Sequence, residues 1–103
     1  MLHLKSLDEG LPVFKALGSE TRINIIKILL EKRQMNMNEL ASSLGITNGE
    51  LTGHIKQLER CGIVKVLAEH AGHGNQKICR VNVDKILVDV AGEDEEIGND
   101  IYT

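Results

Sequence analysis

A mainly helical domain with a small β-hairpin, about five helices and a two-stranded wing, is the fold class this sequence predicts. Three observations carry it. Two short amphipathic segments are joined by a tight glycine turn, with Met37, Leu40, Ala41 and Leu44 before Gly45 and Leu51, Ile55 and Leu58 after it. Beyond Gly62 the apolar period drops from helical to two. The chain of 103 residues, 42% hydrophobic and 26% charged, has the size and balance of one ordinary domain with a single core.

The elements follow in order. Leu2, Leu4 and Leu7 open the chain and Gly10 closes that segment. Pro12 suits the first turn of a helix, where its missing N–H is no loss, so a short helix through Phe14 and Leu17 is expected to stop at Gly18. Ser19 is a good N-cap for SETRINIIKILLEKR, whose length and apolar positions predict a central core helix buried on most sides. Asn36 with Glu39 is close to a capping box, and Thr47 with Glu50 makes a second one. Between them Gly45 sits where a helix end wants a left-handed residue, which is helix-turn-helix geometry. Ile63–His70 and Gln76–Val81 read as strands around the turn AGHGN. Asn82 can then cap a last helix carrying Val83, Ile86, Leu87 and Val90, ended by Gly92.

Charge and composition narrow the function. The formal charge is −3, but Glu93, Asp94, Glu95, Glu96 and Asp100 fall in residues 92–103, which hold no Lys or Arg. Residues 1–91 keep 12 basic against 10 acidic side chains and form the expected domain; residues 92–103 form an acidic tail or linker, with a sensor beyond it as one expectation. A mildly basic domain remains compatible with phosphate neutralisation. Phe14 and Tyr102 are the only aromatics, which argues against a single-strand binder that stacks bases. No apolar run reaches the ~20 residues of a membrane span, and the N-terminus lacks the long apolar stretch of a signal peptide, so a cytoplasmic protein is expected. Cys61 and Cys79 are too few for a disulfide framework and read as small buried hydrophobes, with a disulfide between them as an alternative. No activated-serine motif, HExxH or phosphate loop occurs, and no enzyme is expected.

Helix, helix-turn-helix, hairpin and closing helix together make the winged helix-turn-helix order. Over about residues 12–83, FKALGSETRINIIKILL followed by MNELASSLGITNGELTGHIKQLERCGIVKV resembles the ArsR-type winged-helix repressors. The resemblance implies a homodimer that binds operator DNA as a transcriptional regulator. The family's metal-sensing patterns are missing: MNMNELASSL has no cysteine and VNVDKILVDV no histidine, so neither metal nor cofactor is expected. The effector is not visible.

The second helix of the pair carries the expected interface with double-stranded DNA. Opposite its apolar stripe stand Asn48, Gly49, Thr52, Gly53 and Lys56, beginning at the cap residue Thr47. Asn48 and Thr52 can read base edges, the glycines let backbone approach the sugar-phosphate strand, and Lys56 and Arg60 suit phosphates. At the hairpin, His73, Asn75 and Lys77 are placed to follow the neighbouring minor groove, while His70 and His73 lack the partners of a metal site. His54 reads as a packed, hydrogen-bonded histidine. For the homodimer, Leu4, Leu7, Leu11 and Phe14 are spaced like a seam, and Ile86, Leu87 and Val90 add a second apolar strip. The competing expectation is a winged-helix module that docks a protein, favoured by Glu50 and the two glycines.

Overall fold

The structure is a computed structural model of the chain and describes residues 1–70 and 75–92. Its elements are β1 (Leu2–Leu4), α1 (Leu7–Leu17), α2 (Glu20–Lys32), β2 (Gln34–Asn36), α3 (Met37–Leu44), α4 (Asn48–Arg60), β3 (Val64–His70), β4 (Asn75–Val81) and β5 (Ile86–Val88). Among the described residues two sheets form: β2-β4-β3, antiparallel throughout, and a parallel pair β1-β5. One core joins the helices to the larger sheet: Val13 and Ala16 from α1, Ile25 and Leu29 from α2, and Leu40 and Ala41 from α3. To these are added Leu51, Ile55 and Leu58 from α4, Ile63 and Val64, and Cys79 from β4.

Four helices are present among the described residues rather than about five, and the difference lies at the two ends. Leu7–Leu17 is a single helix that runs through both Gly10 and Pro12. Ser6 Oγ caps it by accepting from Glu9 N–H at 3.0 Å. Proline inside a helix forfeits one backbone hydrogen bond. Burial of Gly10, Val13 and Ala16 on one face keeps the helix intact here. A Cβ at Gly10 would lie 2.6 Å from the tip of the Phe14 ring, which folds back over it, so a side chain there displaces that ring and not the helix backbone.

The expected last helix is instead β5. Asn82 N–H bonds to Ile63 C=O at 2.8 Å rather than opening a helix, and Ile86, Leu87 and Val88 pair with Leu2, His3 and Leu4. Leu2 N–H to Lys85 C=O and Asp89 N–H to Leu4 C=O, both 2.8 Å, close the two ends of this pair. A segment this short shows the same valines and isoleucine to either period, and β-branched residues suit a strand. The available partner strand decided the outcome.

The hairpin matches its expected place to within a residue, but the sheet has three strands. Gln34–Asn36, unforeseen, pairs with Arg80–Ile78 and ties the helix pair to the wing. Arg33, at φ +76°, makes the turn from α2 into it. The α2 helix is also less enclosed than expected: Ile25 and Leu29 are fully buried, whereas Leu30 is 59% exposed. None of the helices is long and apolar enough to cross a membrane, among the described residues.

Candidate nucleic-acid interface

Local hydrogen bonding sets the angle between α3 and α4. Asn36 Oδ1 accepts from Glu39 N–H at 2.8 Å, and its amide donates to the Glu39 carboxylate at 3.1 Å. Gly45, at φ +67°, ends α3 with its N–H directed to Ala41 and Ser42 carbonyls, and Ile46 N–H returns to Ala41 C=O at 3.1 Å. Only a residue without Cβ adopts that left-handed turn at no cost. Thr47 Oγ1 then accepts from Glu50 N–H at 3.1 Å and starts α4. The cap uses the backbone of Glu50; its carboxylate side chain stands exposed. A further bond, Asn48 amide to Asn38 Oδ1 at 3.1 Å, ties the first turn of α4 to the first turn of α3.

With Leu51, Ile55 and Leu58 sealed in the core, the outer face of α4 is set. Thr47, Asn48, Gly49, Gly53 and Lys56 are exposed and Thr52 is half-buried, its hydroxyl donating to Asn48 C=O at 2.8 Å. Asn48, Thr52 and Lys56 line an open recess whose opposite wall is Gln76 and Lys77 on β4, with Asn36 and Asn38 at one end and Glu59 also on its lining. Four of the residues named from the sequence, Asn48, Thr52, Lys56 and Lys77, thus meet around one concavity. Neither Gly49 nor Gly53 has a positive φ, and a Cβ at Gly53 would meet nothing within 4 Å. The chain's own packing does not require these glycines.

Arg60 does not join this group. Steps of four residues on an α-helix advance about 40° past a full turn, so Arg60 lies about 120° around from Asn48. It lines a different recess, with Gln57, Cys61 and the α1 residues Asp8, Leu11, Pro12 and Lys15. Of the hairpin tip, His73 lies outside the described residues and Asn75 is described by its backbone, paired with His70. Sequence reasoning missed Asn38 and Gln76, whose polarity only the fold relates to α4. Lys65 and Arg80, exposed and directly opposite one another across β3 and β4, stand on the sheet face opposite to Lys77 and do not line this recess. Two like charges so placed repel.

Leu4 is corrected as a partner-contacting residue: it is 4% exposed and packs in the chain's own core, because β1 turns it inward. The other apolar residues named with it keep open surface. Leu7, Leu11 and Phe14 share the outer face of α1, Leu87 and Val90 are also exposed, from 38% at Phe14 to 68% at Val90, and Ile86 is half-buried. His54 is half-buried and hydrogen-bonded, its Nδ1 lying 3.0 Å from Arg22 Nη1.

Both cysteines are free thiols. Cys79 is fully buried with its Sγ 3.1 Å from the Met37 sulfur, and burial, with the Glu59 carboxylate second and Lys77 opposing, pushes its thiol up to about 11. Cys61 is half-buried at the end of α4, its Sγ 3.5 Å from Leu58 C=O. Among the described residues, no group of three or more His, Cys, Asp or Glu side chains is arranged to hold a metal ion.

Comparison with known proteins bears on the same segment. Residues 19–65, from α2 to the start of β3, match the family described as winged helix-turn-helix DNA-binding. An uncharacterized protein of Methanocaldococcus jannaschii is 35% identical over 51 residues, which are 50% of this chain and 55% of that one. An HTH-type transcriptional regulator of the same organism is 29% identical over 66 residues, 64% of this chain and 74% of that one. The chain therefore spans little more than half the length of the first of these relatives. Among solved structures, the homodimeric winged helix-turn-helix DNA-binding domain of a possible ArsR-family transcriptional regulator from Mycobacterium bovis superposes with a TM-score of 0.63. It is 22% identical, over 75% of this chain and 67% of that one.

Proposed function

This chain is a winged helix-turn-helix protein similar to the ArsR-type regulators, and from that premise we propose that it is a sequence-specific transcriptional regulator acting as a homodimer on operator DNA, in the role of a repressor. One observation carries the reading: Asn48, Thr52 and Lys56 on α4 open onto the same recess as Lys77 on β4. A helix fills a major groove, and a strand ribbon beside it follows the adjoining backbone. Asn48 offers an amide suited to adenine edges, Thr52 keeps hydroxyl lone pairs free, and Lys56 and Lys77 are point charges for phosphates. Gly49 and Gly53 leave bare helix backbone between these groups, and Thr47 sits at the helix end that faces the duplex. Arg60, about 120° away, contacts at most the flanking backbone.

The two-fold arrangement rests on the outer face of α1. Leu7, Leu11 and Phe14 form an apolar strip that the chain's own core leaves open, and Leu87 and Val90 are exposed apolar side chains as well. Pairing two copies through this strip places two α4 helices on one side, at the ~34 Å spacing of successive major grooves. Residues 1–91 are the DNA-binding domain in this reading, and residues 92–103 an acidic tail.

Fluorescence anisotropy on a labelled mixed-sequence duplex of about 20 base pairs tests it. Log affinity falls linearly with log salt, with a slope of about 0.9 for each phosphate neutralised. Lys56→Gln lowers that slope by about one phosphate, and Lys56→Glu abolishes binding while the circular dichroism spectrum stays unchanged. Failure to bind any duplex at low salt overturns the function in favour of a protein-docking module. Sedimentation of Leu11→Asp as a monomer, against a wild-type dimer, checks the interface; a wild-type monomer at tens of micromolar refutes it.

A further inference from the structure

Arg22 has three side-chain bonds and each goes to a different place. Nε donates to Ala16 C=O at 2.7 Å and Nη2 to Lys15 C=O at 3.1 Å, two carbonyls of the last turn of α1. Helix-terminal carbonyls lack partners within the helix and attract cations, so this guanidinium caps α1 from the side. Nη1 lies 3.0 Å from His54 Nδ1 in the middle of α4. Meanwhile the backbone N–H of Arg22 donates to Ser19 Oγ and fixes the start of α2, at 3.3 Å. One residue therefore touches the ends or middles of three helices.

The chemistry of the Arg22–His54 contact is constrained. Guanidinium groups only donate, so Nδ1 must be the acceptor and the proton of the neutral ring sits on Nε2. Arg22 is half-buried, and three of its five N–H donors are engaged by these partners. His54 in turn lies between the core residues Leu51, Ile55 and Leu58 in sequence, one residue beyond the bare backbone of Gly53. An open recess is lined by Leu11, Pro12 and Lys15 of α1 and by Gln57 and Arg60 of α4.

We propose that Arg22 is a positioning residue whose guanidinium, bound to His54, sets the recognition helix α4 against the C-terminal turn of α1. Because α1 carries the strip proposed to join two copies, this clamp fixes how the two α4 helices are presented to successive grooves. It rests on the function proposed above, and names the link between its two surfaces. Planarity of the fork makes arginine hard to replace here, since a lysine supplies charge but not three fixed donor directions.

Duplex binding and NMR test it together on the full chain. Arg22→Gln and His54→Ala each weaken duplex affinity roughly tenfold, the scale of one lost charged hydrogen bond. Their salt slopes equal that of the wild type, unlike Lys56→Gln. His54→Asn, whose amide oxygen can still accept from the guanidinium, recovers to within about twofold, and the double variant Arg22→Gln with His54→Ala binds no worse than either single one. Additive losses, or a slope about 0.9 shallower in Arg22→Gln, overturn the clamp, the second by making Arg22 a phosphate contact. Should the variants unfold, nitrogen-15 shifts of the wild-type imidazole decide alone: a proton on Nε2 with Nδ1 bare supports the clamp, and a proton on Nδ1 overturns it. Wild-type chain that ignores duplex refutes the regulator reading, and the imidazole spectrum still judges the clamp.

Discussion

Replacing Gly53 by alanine sets fold stability against binding. Gly53 lies in the interior of α4, exposed, with helical backbone and nothing within 4 Å of the position a methyl would take. The methyl thus makes no new contact and no clash within the chain. What remains is the backbone entropy that glycine forfeits in a helix, about 1 kcal/mol relative to alanine. For a domain near 100 residues this raises Tm by roughly 4–8 °C. On the duplex side the same methyl enters the space where a groove wall packs against bare backbone, and overfilling a close-packed contact costs about 1–3 kcal/mol. Roughly tenfold weaker binding is the expected result, so stability and affinity move in opposite directions. Thermal melts by circular dichroism and anisotropy titrations of the same samples measure both. A variant that melts higher yet binds duplex as tightly as wild type refutes close approach at Gly53. One that melts no higher refutes the placement of Gly53 in an exposed helix interior.

Three further outcomes follow from particular residues. Leu58→Ala, at a side chain with no exposed area, lowers unfolding free energy by about 2–5 kcal/mol, read as a lower urea midpoint; a loss under about 1 kcal/mol contradicts its place in the core. Cys79, with its thiol held up to about 11, keeps its proton in the folded chain while the unfolded chain loses one near 9, so stability falls as pH rises from 9 toward 11. Iodoacetamide at pH 8 accordingly labels Cys61 well before Cys79, and equal rates on mass mapping refute the burial. Removing residues 93–103 deletes five carboxylates and leaves a formal charge of +2, which tightens binding to random-sequence duplex at low salt; unchanged affinity means that the tail does not oppose phosphate contact.

Local chemistry alone determined the centre of this protein. The caps Ser19, Asn36 and Thr47, the left-handed Gly45, and the two apolar stripes each act within about four residues, so α2, α3 and α4 and the polar face of Asn48, Thr52 and Lys56 were legible before any fold was known. The hairpin was legible for the same reason, since an alternating pattern on either side of a glycine turn pairs with itself. Tertiary structure decided what depends on distant partners. Val83–Val90 satisfies two periods, and the N-terminal strand Leu2–Leu4, more than eighty residues away, selected the extended one by supplying the missing ladder. That choice also turned Leu4 into core and removed it from the outer strip. Gly10 and Pro12 read locally as breaks, yet burial of Gly10, Val13 and Ala16 along one face carried the helix through them. Arg60 separated from Lys56 because 3.6-residue periodicity rotates each fourth position by about 40°, and only the neighbouring α1 shows which wall that rotation reaches. The meeting of Lys77 and Gln76 with α4, and of Arg22 with His54, joins residues 20 to 32 positions apart, and no local pattern records such a distance.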